Sequence, residues 1–187
     1  KALFEAAKRW LGWVPGGMAV ATIFATAGFA AVSGASTATA AVFSRVAIPE
    51  MLKVGYERKM AAGVVAAGGT LATLIPPSAM LVIYAIIVEE SVGKLLIAGF
   101  LPGVVSALIY GALVILLAMR KPEHAPRVTG FTWMQRFESV PGTTPIIAVV
   151  VIIFASIYFG LATPTEAGAM GAFVVLVLAL KQGMKWN

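Results

Sequence analysis

The stretch GGMAVATIFATAGFAAVSGASTATAAVFSRVAI, residues 16–48, decides how this chain is organised. It is apolar except near its middle, where Ser33-Gly34-Ala35-Ser36 brings small polar residues together. A helical crossing of a bilayer takes about 20 residues, so this stretch is too long for one crossing and too short for two with a turn. The sequence therefore predicts a re-entrant hairpin, with helical arms at 16–32 and 37–48 that meet at the turn 33–36.

Composition indicates that the chain lies in a membrane. Hydrophobic residues make up 60% of it and charged residues 12%, and the mean hydropathy is +0.94. Soluble domains have about 25% charged residues. The net charge of +6 does not indicate nucleic-acid binding, because no basic stripe with interleaved aromatic residues is present. There is no cysteine, which excludes disulfides and thiolate metal sites. We expect an all-α integral membrane protein embedded in a lipid bilayer.

A second irregular segment follows the hairpin. Residues 60–88 are apolar but are interrupted by Gly68-Gly69-Thr70 and by Ile75-Pro76-Pro77-Ser78. Two successive prolines remove two backbone donors and disfavour helical geometry in the residue before each of them. The sequence predicts a broken helix, with one half from 60 to about 68 and another from about 78 to 88.

The basic residues test the hairpin against a plain spanning helix, because cytoplasmic segments are enriched in Lys and Arg. A hairpin places twelve basic residues of the polar segments on one side of the membrane and one on the other. A spanning helix gives nine and four, and Arg45 is left out of both counts. The re-entrant arrangement is favoured, with 49–59 and 120–144 in the cytoplasm.

The hairpin turn and the broken helix together form a candidate site. Helix N-termini suit a carboxylate, whereas carbonyl and hydroxyl oxygens suit a hard cation such as sodium. The candidate sodium ligands are Ser33, Gly34, Ser36, Gly68, Gly69 and Thr70. The candidate substrate-binding residues are Ser33, Gly34, Ala35, Ser36, Pro76, Pro77 and Ser78. The alternative is that the small residues serve close helix packing and the hydroxyls satisfy backbone groups.

These segments also carry a family resemblance. Further motifs, in order, are Ile48-Pro49-Glu50-Met51, Gly55-Tyr56, Ala98-Gly99-Phe100-Leu101-Pro102-Gly103 and Ala162-Thr163-Pro164-Thr165-Glu166-Ala167. With the turn and the helix break, they resemble the large membrane subunit of the tripartite ATP-independent periplasmic (TRAP) transporters over essentially the whole chain. The resemblance implies a multi-pass protein of the bacterial inner membrane with an elevator-type transporter fold. It also implies sodium symport of an organic acid, such as a C4-dicarboxylate or sialic acid. A periplasmic solute-binding protein would deliver this acid, and a small membrane subunit would be the partner.

Two departures from the family pattern limit the comparison. Family members contain a second hairpin and a second broken helix in an inverted repeat, and only the first of each is visible, so we interpret the chain as an internal fragment. Ala35 also stands where the family often has a hydroxyl residue. The predicted parts are an interfacial amphipathic helix (1–15), a transport-domain part with the hairpin and the broken helix (16–94), a transmembrane helix with a cytoplasmic loop (95–144), and a transmembrane helix with the start of the second repeat (145–187).

Other functions fit the residues less well. An ion channel or pore subunit, with the turn as its filter, is the main alternative, but the double-proline break favours a transporter. A purely structural anchor does not explain two irregular segments in lipid. We expect no enzyme and no cofactor other than sodium as the coupling ion. Ser33 and Ser36 lack a general base, since His124 lies in a polar segment, and Glu166 is interpreted as a helix cap.

Overall fold

A computed structural model describes residues 2–127 and 133–139, together with scattered positions between 148 and 177. All the regular structure in these residues is helical. The helices are α1 (Ala2–Leu11), α2 (Gly17–Ser33), α3 (Ser36–Lys53), α4 (Arg58–Thr70), α5 (Ala79–Ile87), α6 (Val92–Arg120) and α7 (Trp133–Ser139), with short 3-10 turns at Leu71–Thr73 and Pro122–His124. The transmembrane helix and the start of the second repeat predicted over 145–187 lie largely outside the described residues.

Helices α2 and α3 are joined through Gly34 and Ala35, so the chain turns where the sequence places the turn. Gly34 has a φ of 61°, and its N–H donates to the Ala30 carbonyl oxygen at 2.9 Å. This left-handed conformation ends α2 at little cost only because glycine has no Cβ. Entry into the membrane from one side, which would make the pair a re-entrant hairpin, stays a prediction.

The second arm of the hairpin is longer than the sequence predicts. Helix α3 does not end at Ile48 but continues through Pro49 to Lys53. Phe43, Ala47 and Met51 are buried at a spacing of four residues, so one packed face runs past the proline. The loss of one backbone N–H at Pro49 is tolerated because this packing continues on both sides of it. The charged segment starting at Pro49 is therefore helical as far as Lys53.

The broken helix has the predicted arrangement. Helix α4 ends at Thr70, the 3-10 turn Leu71–Thr73 follows, and α5 begins at Ala79. Ser78 caps α5, because its hydroxyl oxygen accepts a hydrogen bond from the Leu81 N–H at 3.4 Å. The same hydroxyl donates to the Thr73 carbonyl oxygen at 2.8 Å. Ser78 thus ties the start of α5 to the 3-10 turn across the two prolines.

The centre of the described residues is α2, which packs against α1, α3, α4 and α6. The close approach of α4 to α2 and α3 depends on two glycines of α4. A Cβ at Gly68 would overlap Thr26 of α2, and one at Gly69 would lie 3.0 Å from the Cβ of Ala40 in α3. Helix α6 is long and apolar enough to cross a membrane, the only such helix found in the described residues. Most of its side chains face outward.

Tyr56 fixes the start of α2. It is 3% exposed, and its hydroxyl oxygen accepts a hydrogen bond from the Met18 N–H at 3.2 Å. We expect Tyr56→Phe to lower the free energy of unfolding of the intact subunit by about 1 to 3 kcal/mol, because a buried N–H loses its acceptor. Denaturant unfolding in detergent measures this. Tyr84→Phe, at a side chain that is 54% exposed, is the control and should change little. Equal stability of the two variants would contradict the role of the Tyr56 hydroxyl.

Candidate substrate and ion site

The hairpin turn lies directly against the break in the second helix. The Ala79 N–H, at the start of α5, donates to the Gly34 carbonyl oxygen at 3.2 Å. On its other side Gly34 packs so closely on the Pro77 carbonyl oxygen that a Cβ would overlap it. Two irregular segments that are about 40 residues apart in the chain are thereby joined at one place. This brings together Gly34, Pro77 and Ser78 from the predicted substrate-binding set.

A hydroxyl pair stiffens the turn. Thr39 is fully buried, and its hydroxyl donates to the Ala35 carbonyl oxygen at 2.9 Å. Its oxygen also lies 2.9 Å from the Ser33 hydroxyl oxygen. When the Thr39 hydroxyl gives its one hydrogen to the Ala35 carbonyl oxygen, Ser33 is the donor in the contact between the two hydroxyls. With its hydrogen used in this way, the Ser33 hydroxyl presents only its lone pairs to the site, where they can accept a hydrogen bond or coordinate a cation.

Helix N-termini, which carry a partial positive charge, and a helix C-terminus, which carries a partial negative charge, meet around this turn. Helix α2 ends at it with carbonyl groups that have no partner inside the helix, and α3 and α5 begin there with N–H groups that have none. In α5 the Ala79 N–H is bound by the Gly34 carbonyl oxygen and the Leu81 N–H by the Ser78 hydroxyl. Ala35, the N-cap of α3, provides no side-chain acceptor, so the first N–H groups of α3 have no side-chain cap. Ser78 supplies such an acceptor for α5. The arrangement offers oxygen atoms for a cation beside backbone donors for an anion.

The remaining predicted residues occupy different positions. Gly69 lies close to Ser36, with its Cβ position 3.5 Å from the Ser36 carbonyl oxygen, so these two candidate ligands adjoin. Gly68 faces Thr26 at the contact of α4 with α2. The Thr70 hydroxyl donates to the Ala67 carbonyl oxygen at 2.7 Å. The packing of Gly68 and Gly69 agrees with the alternative in which small residues serve helix contacts.

Pro76 is buried at the centre of the break. Ala35 and Ser36 are half-buried at the start of α3. Thr70 stands apart, because its hydroxyl oxygen lies 3.4 Å from the hydroxyl oxygen of Tyr110 in α6. The site therefore has a compact centre at Gly34 and an outlying member at Thr70.

Glu166 forms a capping box, as expected from the sequence. Its carboxylate accepts hydrogen bonds from the N–H and the hydroxyl of Thr163, both at 2.7 Å, and the Glu166 N–H donates to the Thr163 hydroxyl oxygen at 3.4 Å. The hydroxyl donor, followed by the backbone donor, holds the pKa of the Glu166 carboxyl below its ordinary value. The side chain is committed to this cap. Among the described residues, no cluster of three or more His, Cys, Asp or Glu side chains is placed to hold a metal ion.

Comparison with known proteins identifies the family. Residues 1–187 match the family model described as the DctM component of the tripartite ATP-independent periplasmic transporter. The chain belongs to this family. It is 40% identical over 95% of its length to the C4-dicarboxylate TRAP transporter large permease protein DctM of Pseudomonas aeruginosa, and 35% identical over 96% to the protein of that name in Vibrio cholerae. It is 33% identical over 94% to the sialic acid TRAP transporter permease protein SiaT of Haemophilus influenzae.

These DctM-family relatives are named as permease proteins of transporters, so the chain belongs to a family of membrane transport proteins. The chain spans 41% of the length of the Pseudomonas aeruginosa relative, 39% of the Vibrio cholerae relative and 28% of the Haemophilus influenzae relative.

Thr39 belongs to the candidate site although the sequence does not point to it. Its hydroxyl contacts both Ser33 and Ala35 in the turn. Its signal was its position: four residues after Ala35 in a helix, a threonine hydroxyl can reach back to that carbonyl oxygen. Placing Ser33 beside it additionally requires the tight turn.

Proposed function

We propose that this chain is part of the membrane component of a secondary active transporter that imports an organic acid by sodium symport. The substrate class includes C4-dicarboxylates and sialic acid, because the relatives at 40% and 33% identity are named for these substrates. A periplasmic solute-binding protein delivers the substrate, and a small membrane subunit completes the transporter. The observation that carries the proposal is the direct contact of the hairpin turn with the helix break, since broken helices of this kind form binding sites in transporters.

The sodium ion is proposed to bind on the oxygen-rich side of the turn. Ser33 is the strongest ligand candidate, because the Thr39 contact leaves its hydroxyl oxygen only able to accept. Gly34 and Ser36 add oxygens from the same turn, and Gly69 adjoins Ser36. Gly68 and Thr70 complete the proposed set from the end of α4. Hydroxyl and carbonyl oxygens are the ligands that hard cations prefer.

The organic acid is proposed to bind beside the ion at the free N–H groups that begin α3. Helix N-termini attract carboxylates through these donors and through the helix dipole. Ala35 leaves the donors without a side-chain cap, and Ser36 adds a hydroxyl at the first helical position. A bound cation nearby would strengthen the attraction, which couples the two ligands. Pro76, Pro77 and Ser78 form the proposed opposite wall.

An elevator mechanism requires the hairpin and the broken helix to move as one body. Two contacts support this: the Ala79 to Gly34 hydrogen bond at the turn, and the close packing of Gly69 on Ala40 between α4 and α3. Both contacts join backbone or near-backbone atoms, which do not give way by changing a side-chain rotamer. We infer that the site is carried across the membrane without being dismantled.

Sodium-dependent uptake by the intact transporter tests the proposal. We expect Ser36→Leu and Thr70→Leu each to weaken the activation of uptake by sodium, because a hydroxyl ligand is replaced by an apolar side chain. Ser44→Leu is the matched control, since Ser44 is an exposed serine of α3 whose hydroxyl bonds only to the Ala41 carbonyl oxygen. Unchanged activation in both variants would remove Ser36 and Thr70 from the site. Full uptake by the wild type in the absence of sodium would rule out sodium symport.

A further inference from the structure

An apolar groove runs along the outside of α4, between it and α6. Its volume is about 330 Å³, within the range of small-molecule sites. Val64 and Ile23 form its buried floor, and Leu113 and Leu117 of α6 form one wall. On the α4 side, Gly63 has no side chain to cover the groove, and a Cβ there would meet no atom within 4 Å. The groove is therefore open along its side.

The two ends of the groove differ in charge. Lys59, in the first turn of α4, lines one end together with Leu117 of α6. Tyr110 lines the other end, where its hydroxyl contacts Thr70. From Lys59 to Thr70, α4 rises by about 16 Å, the length of an extended acyl chain of moderate size. The groove is thus long, apolar and positively charged at one end.

The basic end is reinforced by its neighbours. Arg58 precedes Lys59, and Arg120 and Lys121 end α6 just before the 3-10 turn Pro122–His124, where the His124 carbonyl oxygen accepts a hydrogen bond from the Glu57 N–H at 3.1 Å. Two acidic residues lie near this end, and both contact His124: its Nδ1 is 2.8 Å from the Glu57 carboxylate and its Nε2 is 3.8 Å from the Glu123 carboxylate. Lys59 is exposed and has no ion-pair partner among the described residues. Positive charge on the predicted cytoplasmic side is therefore available to an anion.

We propose that this groove binds one anionic phospholipid, with an acyl chain between α4 and α6 and the phosphate on Lys59. Basic pockets between membrane helices on the cytoplasmic side suit anionic headgroups. Gly63 and Ala67, four residues apart on α4, are small enough for a close helix contact, but Leu113 and Leu117 stand along the facing wall and Lys59 places a charge at one end, which favours a lipid over a partner helix. The proposal requires only that these helices lie in a membrane, and it is independent of sodium-coupled transport.

Native mass spectrometry of the intact subunit in mild detergent tests the proposal, with dioleoyl phosphatidylglycerol titrated against dioleoyl phosphatidylcholine. We expect the wild type to retain one phosphatidylglycerol and little phosphatidylcholine. Gly63→Leu should fill the groove and abolish this binding, whereas Ala62→Leu places a leucine at an exposed neighbour outside the groove and should bind normally. Lys59→Gln should weaken binding about fivefold, since a basic residue near anionic lipid contributes about 1 kcal/mol.

The control for charge is Lys94→Gln, at the opposite end of α6, which should bind phosphatidylglycerol like the wild type. Equal binding of the two lipids by the wild type would overturn the proposal. So would binding that survives in both Gly63→Leu and Lys59→Gln. Cross-linking of Gly63→Cys to another protein segment, in place of lipid, would show that a helix occupies the groove and would also overturn it.

Discussion

Replacement of Gly34 by alanine is expected to abolish uptake of the organic acid. Gly34 has a φ of 61°, and its Cα packs on the Pro77 carbonyl oxygen so closely that a Cβ would overlap that atom. The left-handed conformation costs a non-glycine residue about 1 to 2 kcal/mol, and overpacking typically adds about 1 to 3 kcal/mol. The neighbour is a backbone atom and cannot move away alone. The turn and the helix break must therefore separate, which dismantles the proposed site.

Sodium-dependent uptake and denaturant unfolding should be measured together on Gly34→Ala. We expect a loss of about 2 to 5 kcal/mol in the free energy of unfolding along with the loss of uptake. Gly63→Ala is the matched control, because Gly63 is a helical glycine with open space at its Cβ position. This control should be as stable as the wild type or slightly more stable, since alanine favours helix. Wild-type uptake by Gly34→Ala would refute the contact on which the proposed function rests.

Local chemistry explains what the sequence predicted correctly. Ser33-Gly34-Ala35-Ser36 combines a residue suited to a left-handed conformation with two serines, whose hydroxyls can bond to nearby backbone groups outside a helix, so it marks the turn. Pro76 and Pro77 remove backbone donors, so they mark the break in the second helix. Neither signal depends on partners elsewhere in the chain. The positions of both irregular segments could therefore be read directly from the residues.

Features that depend on tertiary packing were missed or misjudged. Pro49 alone indicates a helix end, but the buried series Phe43, Ala47 and Met51 carries α3 past it. The spacing of four residues was visible in the sequence, yet its burial was not. Thr39 was overlooked for the same reason, because its role requires the turn to bring Ser33 within 2.9 Å. The sequence places Thr70 beside Gly68 and Gly69, but only the fold shows that its hydroxyl oxygen lies 3.4 Å from the hydroxyl oxygen of Tyr110.

Replacement of Thr39 by valine should have the largest effect on sodium affinity without a change in side-chain volume. Valine has no hydroxyl, so the half-buried Ser33 hydroxyl loses its acceptor, whereas the Ala35 carbonyl oxygen keeps only the Thr39 backbone N–H, at 3.0 Å, as its donor. An unpaired buried polar group costs about 1 to 3 kcal/mol. The Ser33 hydroxyl is then free to rotate, and its lone pairs no longer point only toward the ion. We expect the sodium concentration for half-maximal uptake to rise about tenfold, which corresponds to about 1.4 kcal/mol.

Thr39→Ser separates this positioning role from a purely structural one. Serine keeps the hydroxyl that orients Ser33 and loses only a methyl group, so sodium activation should return close to the wild-type value although some stability is lost. Thr22→Val is the matched control, because Thr22 is equally buried in α2 and its hydroxyl donates only to the Met18 carbonyl oxygen at 2.8 Å. That variant should leave sodium activation unchanged. If Thr39→Val and Thr22→Val affect sodium activation equally, Thr39 acts on stability alone, and the orientation of Ser33 does not determine how the ion is bound.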